Sequence, residues 1–178
     1  MGAAFRVQAQ SYASQYKALI NRQYANALEL KQVGGGYIGN DFQLTIHPTV
    51  WVLQVGEYKG KVNGHAADLQ DYWIFTSDGK KCWQAQQGNG PLKYWNEDGK
   101  ATGFPKDWEL FRFVPVDAAH GTVKICNTWS GSRLHSGGYV GLSGNSFNCE
   151  STFDNAAVFK VGFIPNALGI TRFKAQSP

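Results

Sequence analysis

The sequence predicts an all-β protein, on the basis of its composition, its strand-like alternation and an internal repeat. Hydrophobic residues make up 43% of the 178 residues, charged residues 17% and aromatic residues 14%, and there are 21 glycines. This mixture favours strands joined by tight turns over long helices. A chain of this length can bury enough apolar surface to fold as one domain without disulfide or metal crosslinks.

A Gly-aromatic pattern recurs along the chain. Residues 35–39, Gly-Gly-Tyr-Ile-Gly, are echoed by residues 137–141, Gly-Gly-Tyr-Val-Gly, and residues 92–96, Leu-Lys-Tyr-Trp-Asn, form a fainter copy. Apolar and polar residues alternate before and after each copy, as they do in half-buried strands. The alternating runs are 28–30, 73–75 and 123–125 before the copies, and 50–55, 108–113 and 157–161 after them.

Three units of this kind predict a β-trefoil of three four-stranded repeats over residues 26–164. An open sheet of twelve strands would leave unpaired edges, whereas closure into a small barrel removes them. The alternation places six side chains of the closing strands in threefold-related core layers, because alternate residues of a strand share a face. These are Leu53, Phe111 and Phe159, with Val55, Phe113 and Val161 two residues on.

The segments on either side of the repeats are predicted to be an N-terminal extension, 1–25, and a C-terminal tail, 165–178. Within the extension, one helical face carries four apolar or aromatic side chains, which predicts a short N-terminal helix; they are Tyr12, Tyr16, Leu19 and Ile20. A helix laid over the open end of the barrel is favoured over a membrane or partner helix, because the polar face carries few charges. The barrel is therefore expected to fold without residues 1–25.

The charge pattern argues against nucleic-acid binding. The formal net charge is +4 and the pI is about 8.9, but the lysines and arginines are scattered singly rather than gathered into a basic patch. The sequence contains no run of eighteen apolar residues, so no transmembrane segment is predicted. The first residues lack the apolar core of a signal peptide. We expect a cytoplasmic protein, or a secreted one whose signal peptide is not visible here. Whether it forms an oligomer stays open.

No metal, cofactor or catalytic site is predicted. The three cysteines, Cys82, Cys126 and Cys149, are too widely spaced for a zinc motif. A bridge between Cys126 and Cys149 stays open, although reduced buried thiols are favoured. The histidines stand in separate turns without a local nucleophile signature, so no enzyme is predicted. They are His47, His65, His120 and His135.

Four stretches of the third repeat region carry a family resemblance. Residues 107–113, 121–125, 138–142 and 157–161 resemble the fascin-like β-trefoil domains, whose repeat reads W-E-x-F-x-F, G-x-V-x-I/L, G-K/R-Y-V/L and F-x-V. The resemblance implies a fold and not a task, because the scaffold carries actin bundlers, sugar-binding proteins and toxin domains. The Q-x-W signature of ricin-type lectins does not occur, and the paired cysteines of Kunitz-type inhibitors are missing.

Tryptophans in turns are the main functional clue. Trp51, Trp73 and Trp108 fall in alternating runs and are predicted to be core or rim residues. Trp83, Trp95 and Trp129 instead stand beside Gly, Asn, Ser and Gln, where large rings are normally avoided unless they contact a partner. Aromatic residues paired with amides and few charges favour a sugar. The predicted ligand site comprises Trp83, Trp95, Asn96, Trp129, Tyr139, Asn145 and Asn148.

Two functions follow from this prediction. The first is a lectin-like module that binds a glycan or glycoprotein. The second is a protein-binding module of the actin-bundling, protease-inhibitor or toxin receptor-binding type, because exposed Trp and Tyr serve both kinds of interface. For Tyr139 a buried structural role is the alternative, since the same tyrosine recurs in the repeats.

Overall fold

Twelve short β-strands make up the regular structure of the computed structural model, which describes residues 27–56, 70–97, 105–130 and 138–164. The strands are β1 (Ala27–Gln32), β2 (Tyr37–Ile38), β3 (Leu44–Thr45), β4 (Val50–Val55), β5 (Asp71–Thr76), β6 (Cys82–Ala85), β7 (Gly90–Trp95), β8 (Phe111–Asp117), β9 (Thr122–Asn127), β10 (Tyr139–Ser143), β11 (Ser146–Ser151) and β12 (Phe159–Ile164). Four 3-10 turns complete it: η1 (Gln86–Gly88), η2 (Asp107–Glu109), η3 (Ala118–His120) and η4 (Thr128–Ser130). The predicted extension, 1–25, with its helix, and the predicted tail, 165–178, lie outside the described residues.

Six of the strands pair in a closed ring, here called the strand ring. The antiparallel order is β1, β4, β5, β8, β9, β12 and back to β1. The closing pair joins β1 to β12 at six positions, from Ala27 opposite Ile164 to Gln32 opposite Phe159. Each of these six strands has a neighbour on both sides, so the ring presents no unpaired edge to another chain.

The other six strands form three hairpins, β2/β3, β6/β7 and β10/β11, here called the first, second and third hairpins. The hairpins bond to one another as well as to the ring. β11 pairs with β7, the Leu44 N–H donates to the Asn145 carbonyl at 2.7 Å, and the Phe147 N–H donates to the Phe42 carbonyl at 2.8 Å. The three hairpins therefore form one connected layer, here called the hairpin cap.

All twelve strands belong to one antiparallel sheet, so the predicted all-β class is confirmed. The β-trefoil of three repeats remains a prediction. The predicted strand 108–113 begins later, because Trp108 lies in η2 and β8 starts at Phe111.

The faint repeat at residues 92–96 was assigned to the wrong strand. Tyr37 and Tyr139 begin the first strands of their hairpins, whereas Tyr94 lies in the second strand of its hairpin. The residue that begins the first strand of the second hairpin is Cys82, and Trp83 follows it as Ile38 and Val140 follow the tyrosines. Those three following residues share one environment, because each is fully buried.

The main core fills the space between the ring and the cap. Leu53, Phe111, Phe113 and Phe159 are buried there, as the alternation predicted. Val55 and Val161 are half-buried and pack against the same cluster. Period-two alternation therefore located the inward faces of β4, β8 and β12 correctly.

Aromatic rings meet edge to face at the centre of this core. The ring of Trp83 lies 5.2 Å from that of Trp51, 5.6 Å from that of Phe111 and 5.8 Å from that of Phe42, with interplanar angles between 81° and 87°. This arrangement is favoured by the ring quadrupoles. Neither buried indole N–H, of Trp51 or of Trp83, has a hydrogen-bond acceptor among the described residues, so packing alone holds these two rings.

A buried ion pair ties β5 to β8. Asp71 and Arg112 stand opposite each other in the two strands, and the Arg112 Nε lies 2.5 Å from Asp71 Oδ1 with both side chains buried. The Thr128 hydroxyl donates to the same carboxylate oxygen at 3.1 Å. Loss of one partner would leave a buried unpaired charge, which typically costs about 3–5 kcal/mol. The pair therefore disfavours any other register between these strands.

The three cysteines, Cys82, Cys126 and Cys149, are buried and free. The bridge left open by the sequence is thus not formed. Burial raises the pKa of each thiol, that of Cys126 to about 12. Since the thiolate is the reactive form, these cysteines are structural residues and not nucleophiles.

We predict that Phe111→Ala lowers the free energy of unfolding by about 3–5 kcal/mol, because it opens a cavity where a fully buried ring contacts the core. Val116 lies in the same strand with 40% of its surface exposed, so Val116→Ala should change stability by less than about 0.5 kcal/mol. Urea denaturation of both variants measures the difference. A loss below about 1 kcal/mol for Phe111→Ala would contradict the assignment of this ring to the core.

Candidate functional site

The second hairpin presents two different faces. Trp83 stands opposite Tyr94, Gln84 opposite Lys93, and Cys82 opposite Trp95. Since successive side chains of a strand point to opposite faces, Trp83 and Tyr94 share the face that packs on the main core. Gln84, Lys93 and Trp95 share the other face.

That outer face borders a groove of about 620 Å³, here called the second-hairpin groove. It is lined by Gln84, Lys93, Tyr94, Trp95, Asn96 and Glu97. Trp95 is half-buried: its ring packs beside a small apolar cluster that contains Phe75 and Cys82. The same ring lines the groove, so an aromatic surface stands beside amide and charged side chains.

Asn96 ends β7 in a left-handed backbone conformation, with φ of +64°. Asparagine is one of the few residues other than glycine that adopt this region readily. The turn leaves Asn96 and the exposed Glu97 at the mouth of the groove. The choice of asparagine here thus follows from the backbone as well as from any ligand.

A buried carboxylate orients the amide of Gln84. Gln84 Nε2 donates to Glu109 Oε2 at 3.2 Å, and the Lys106 backbone N–H donates to Glu109 Oε1 at 2.8 Å. Glu109 is only 4% exposed. Burial raises its pKa, and the two hydrogen bonds from Lys106 and Gln84 oppose the shift without cancelling it.

Tyr94 connects the second hairpin to the first. Its hydroxyl donates to the Asn40 carbonyl at 2.5 Å, and its ring lies 4.6 Å from that of Phe42. Burial raises the pKa of the phenol, and the negative charges of Asp41, Glu97 and Asp78 raise it further. Tyr94 therefore stays a neutral hydrogen-bond donor at any physiological pH.

Two of the predicted ligand-binding residues are buried instead. Trp83 is fully buried, because it occupies the inward position that Ile38 and Val140 occupy in the other hairpins. Tyr139 is also fully buried, with its ring 5.4 Å from that of Phe153. The expectation that either ring is exposed to a ligand is wrong, and the structural alternative for Tyr139 is the correct one.

The remaining predicted residues divide between the groove, the 3-10 turn η4 and the third hairpin. Trp95 and Asn96 line the groove together. Trp129 lies in η4, half-buried, with its backbone N–H donating to Asn127 Oδ1 at 2.9 Å. Asn145 bonds the first hairpin through its carbonyl, and Asn148 Oδ1 accepts the Glu150 N–H at 3.1 Å. None of these three lines the second-hairpin groove.

Three residues of this site were not predicted from the sequence. Lys93 and Glu97 line the groove, and Glu109 orients Gln84. The available signal was register: once Trp83 is placed inward, Gln84 must point outward, and the facing strand supplies Lys93 beside it. Glu109 carried no local signal, since it reaches Gln84 from a separate turn.

Comparison with known proteins shows a structural likeness and no sequence match. No protein-family model and no curated protein sequence matches the chain. A solved structure of a "Salivary protein from Culex quiquefasciatus that belongs to the Cysteine and Tryptophan-Rich (CWRC) family" matches with a TM-score of 0.49 and 10% sequence identity. The match covers 78% of this chain and 93% of that chain. The predicted membership of the fascin-like family is wrong: no family model matches the chain, and the described strands form a single twelve-stranded sheet.

Two features are absent from the described residues. No helix among them is long and apolar enough to cross a membrane. No group of three or more His, Cys, Asp or Glu side chains in the described ranges is arranged to hold a metal ion.

The raised pKa of Glu109 predicts a pH effect on stability. The folded state holds this proton more tightly than the unfolded chain, so the free energy of unfolding should fall as the pH rises from the ordinary glutamate pKa through the folded-state value. Glu109→Gln removes the pH-dependent contribution of this carboxyl group to the free energy of unfolding. Relative to this variant, the natural protein should therefore lose stability between pH 4 and pH 7, as measured by urea denaturation.

The exposed Glu150 provides the matched control, since Glu150→Gln removes the same charge from the surface. An equal pH trend in both variants would assign the effect to net charge. A natural protein that gains stability relative to Glu109→Gln over this range would contradict the assignment.

Proposed function

We propose that this protein is a non-enzymatic, lectin-like module that binds carbohydrate in the second-hairpin groove. The observation that carries the proposal is the half-exposed Trp95 ring in one groove with the amides of Gln84 and Asn96. Small-molecule sites are commonly concave, with an aromatic surface and a few placed polar groups. This groove has that composition.

The chemistry of a sugar suits the two kinds of side chain. One face of a pyranose ring presents C–H groups, which pack on an indole, and the hydroxyls around its rim both donate and accept hydrogen bonds. An amide side chain offers an oxygen acceptor and an NH₂ donor together. Because Glu109 fixes the direction of the Gln84 amide, part of the rotamer entropy that binding would cost is already lost in the free protein.

Protein binding is the second candidate function, and two exposed apolar side chains favour it. Ile46 is 82% exposed and Val33 is 63% exposed. Val33 lies in the turn between β1 and β2, and Ile46 directly follows β3, which pairs with β2. An actin-bundling, protease-inhibitor or toxin receptor-binding role would use this side of the first hairpin.

We also propose that the fold is a β-trefoil. The strands fall into three consecutive groups of four, β1–β4, β5–β8 and β9–β12, and this grouping supports the proposal. In each group the first and fourth strands belong to the strand ring, and the second and third strands form a hairpin. The corresponding residues Ile38, Trp83 and Val140 are buried alike.

A glycan array followed by isothermal titration with the best-bound glycan tests the proposed function. Trp95→Ala should weaken binding by about 1 kcal/mol or more, because the stacking surface is lost. The variant should remain folded, although with some loss of stability because part of the ring packs against the Phe75 and Cys82 cluster.

Trp129→Ala is the matched comparison, since Trp129 is equally half-buried and lies outside the groove. It should bind as the natural protein does. A blank array would favour the protein-binding function, and loss of affinity in Trp129→Ala with full affinity in Trp95→Ala would move the site to η4.

A further inference from the structure

A second groove lies beside the first, on the first hairpin. It has a volume of about 500 Å³ and is formed by residues between Gly39 and Thr49, with polar side chains from Asn40, Asp41, Gln43, Thr45 and His47. No aromatic side chain lines it. It is called here the first-hairpin groove.

The two grooves are neighbours. Tyr94 lines the second-hairpin groove and Asn40 lines the first-hairpin groove, and the Tyr94 hydroxyl donates to the Asn40 carbonyl at 2.5 Å. Asp41, in the first groove, is close enough to Tyr94 to raise its pKa. Tyr94 and Asn40 are therefore the residues at which the two grooves approach each other.

A buried aromatic residue, Phe42, holds the backbone of the first-hairpin groove in place. Phe42 holds a left-handed backbone conformation, with φ of +60°, and is only 6% exposed. Such a conformation is unfavourable for a bulky residue and persists only where its surroundings enforce it. Here its ring stacks on Trp51 at 6.3 Å and packs on Tyr94, which places Asp41 and Gln43 on either side of a locked residue.

Hydrogen bonds hold the polar rim in place as well. Asp41 Oδ1 accepts the Gln43 backbone N–H at 3.0 Å, and Gln43 Nε2 donates to the Ser146 hydroxyl of the third hairpin at 2.8 Å. Thr45 Oγ1 accepts the His47 N–H at 3.2 Å. The groove is thus a preformed polar surface, which lowers the entropy lost on binding.

The charges around the grooves disfavour an anionic ligand. Among the charged side chains that line them, Lys93 is opposed by Asp41 and Glu97. Around Tyr94, the carboxylates of Asp41, Glu97 and Asp78 are offset only in part by the ammonium of Lys81, which lies 5.7 Å from the ring centre. A sulfated or uronic acid chain would meet excess negative charge here, although the whole protein carries a net charge of +4.

We propose that the two grooves are subsites of one extended site that takes a linear, neutral oligosaccharide. One sugar residue stacks on Trp95, the chain passes Tyr94, and a following residue is held by the polar side chains of Asn40, Asp41 and His47. This inference rests on the proposed function and adds to it the length and charge of the ligand.

Isothermal titration with chain-length series tests the extended site. The probes are the monomers to tetramers of β1,4-linked glucose, N-acetylglucosamine and mannose, with a heparin tetrasaccharide as the anionic comparison. In the best-bound neutral series the tetramer should bind at least about tenfold more tightly than the monomer, because a second subsite adds hydrogen bonds. Heparin should bind more weakly than this tetramer, and its binding should not depend on Trp95.

Variants separate the subsites. Asn40→Ala with His47→Ala should remove most of the tetramer advantage while leaving monomer binding within about twofold, since both side chains are exposed and the Asn40 carbonyl that holds Tyr94 is retained. Trp95→Ala should weaken monomer and tetramer alike. Lys160→Ala, on the exposed side of β12, should change neither. Thermal unfolding confirms that each variant is folded, and His47→Ala alone serves if the double variant is not.

The outcomes distinguish the two proposals. Binding that depends on Trp95 but is equal for monomer and tetramer would overturn the extended site and leave the proposed function standing. A tetramer advantage that survives the first-hairpin variant would also overturn it, as would preferred binding of heparin. Failure of every probe to bind would overturn both.

Discussion

The pairing of β1 with β12 is the constraint on which the rest of the structure depends. It joins the first and last described strands over six residue pairs, and without it the other five pairings of the ring would leave an open sheet with two exposed edges. Closure also defines an inside, because the alternate residues of six tilted strands then converge on one core. The burial of Leu28, Leu30 and Phe159 follows directly from this pairing.

The positions of the hairpins in the cap are set by the strands of the ring. Each hairpin is connected to ring strands at both ends, and the three hairpins bond to one another through Asn145, Phe42 and Tyr94. The two grooves occupy the outer sides of this junction. Their polar rims are held by contacts within loops and by tertiary contacts, such as Gln43 with Ser146 and Gln84 with Glu109. A surface of this kind combines the sequence freedom of turns with the rigidity of a sheet.

The sequence predicted the strands well because their signal is local. Val50–Val55 coincides with β4, and the alternation of Phe111 with Phe113 located the core face of β8. The prediction for the second hairpin was wrong for a physical reason. Its first strand carries Cys82 and Trp83 where the other hairpins carry Tyr-Ile and Tyr-Val, so the repeated tyrosine was matched to Tyr94 in the second strand. Trp83 was then placed outside because its neighbours are polar, although a strand buries every second residue whatever stands between.

The candidate site was half predictable. Trp95 and Asn96 were visible as an aromatic residue and an amide in a turn, whereas Gln84 with Glu109, and Tyr94 with Asn40, meet only through tertiary contacts. Local sequence patterns do not show which turns approach one another. That information lies in the closure of the ring.

Native-state hydrogen exchange followed by NMR tests the closure of the ring most directly. If the β1 and β12 pairing holds the fold together, the hydrogen-bonded amides of both strands should exchange only through global unfolding. Their opening free energies should then equal the free energy of unfolding from urea denaturation, while amides of the two-residue strands β2 and β3 exchange through smaller local openings. Exchange from β12 at free energies well below the global value, with β4, β5 and β8 still protected, would contradict the account.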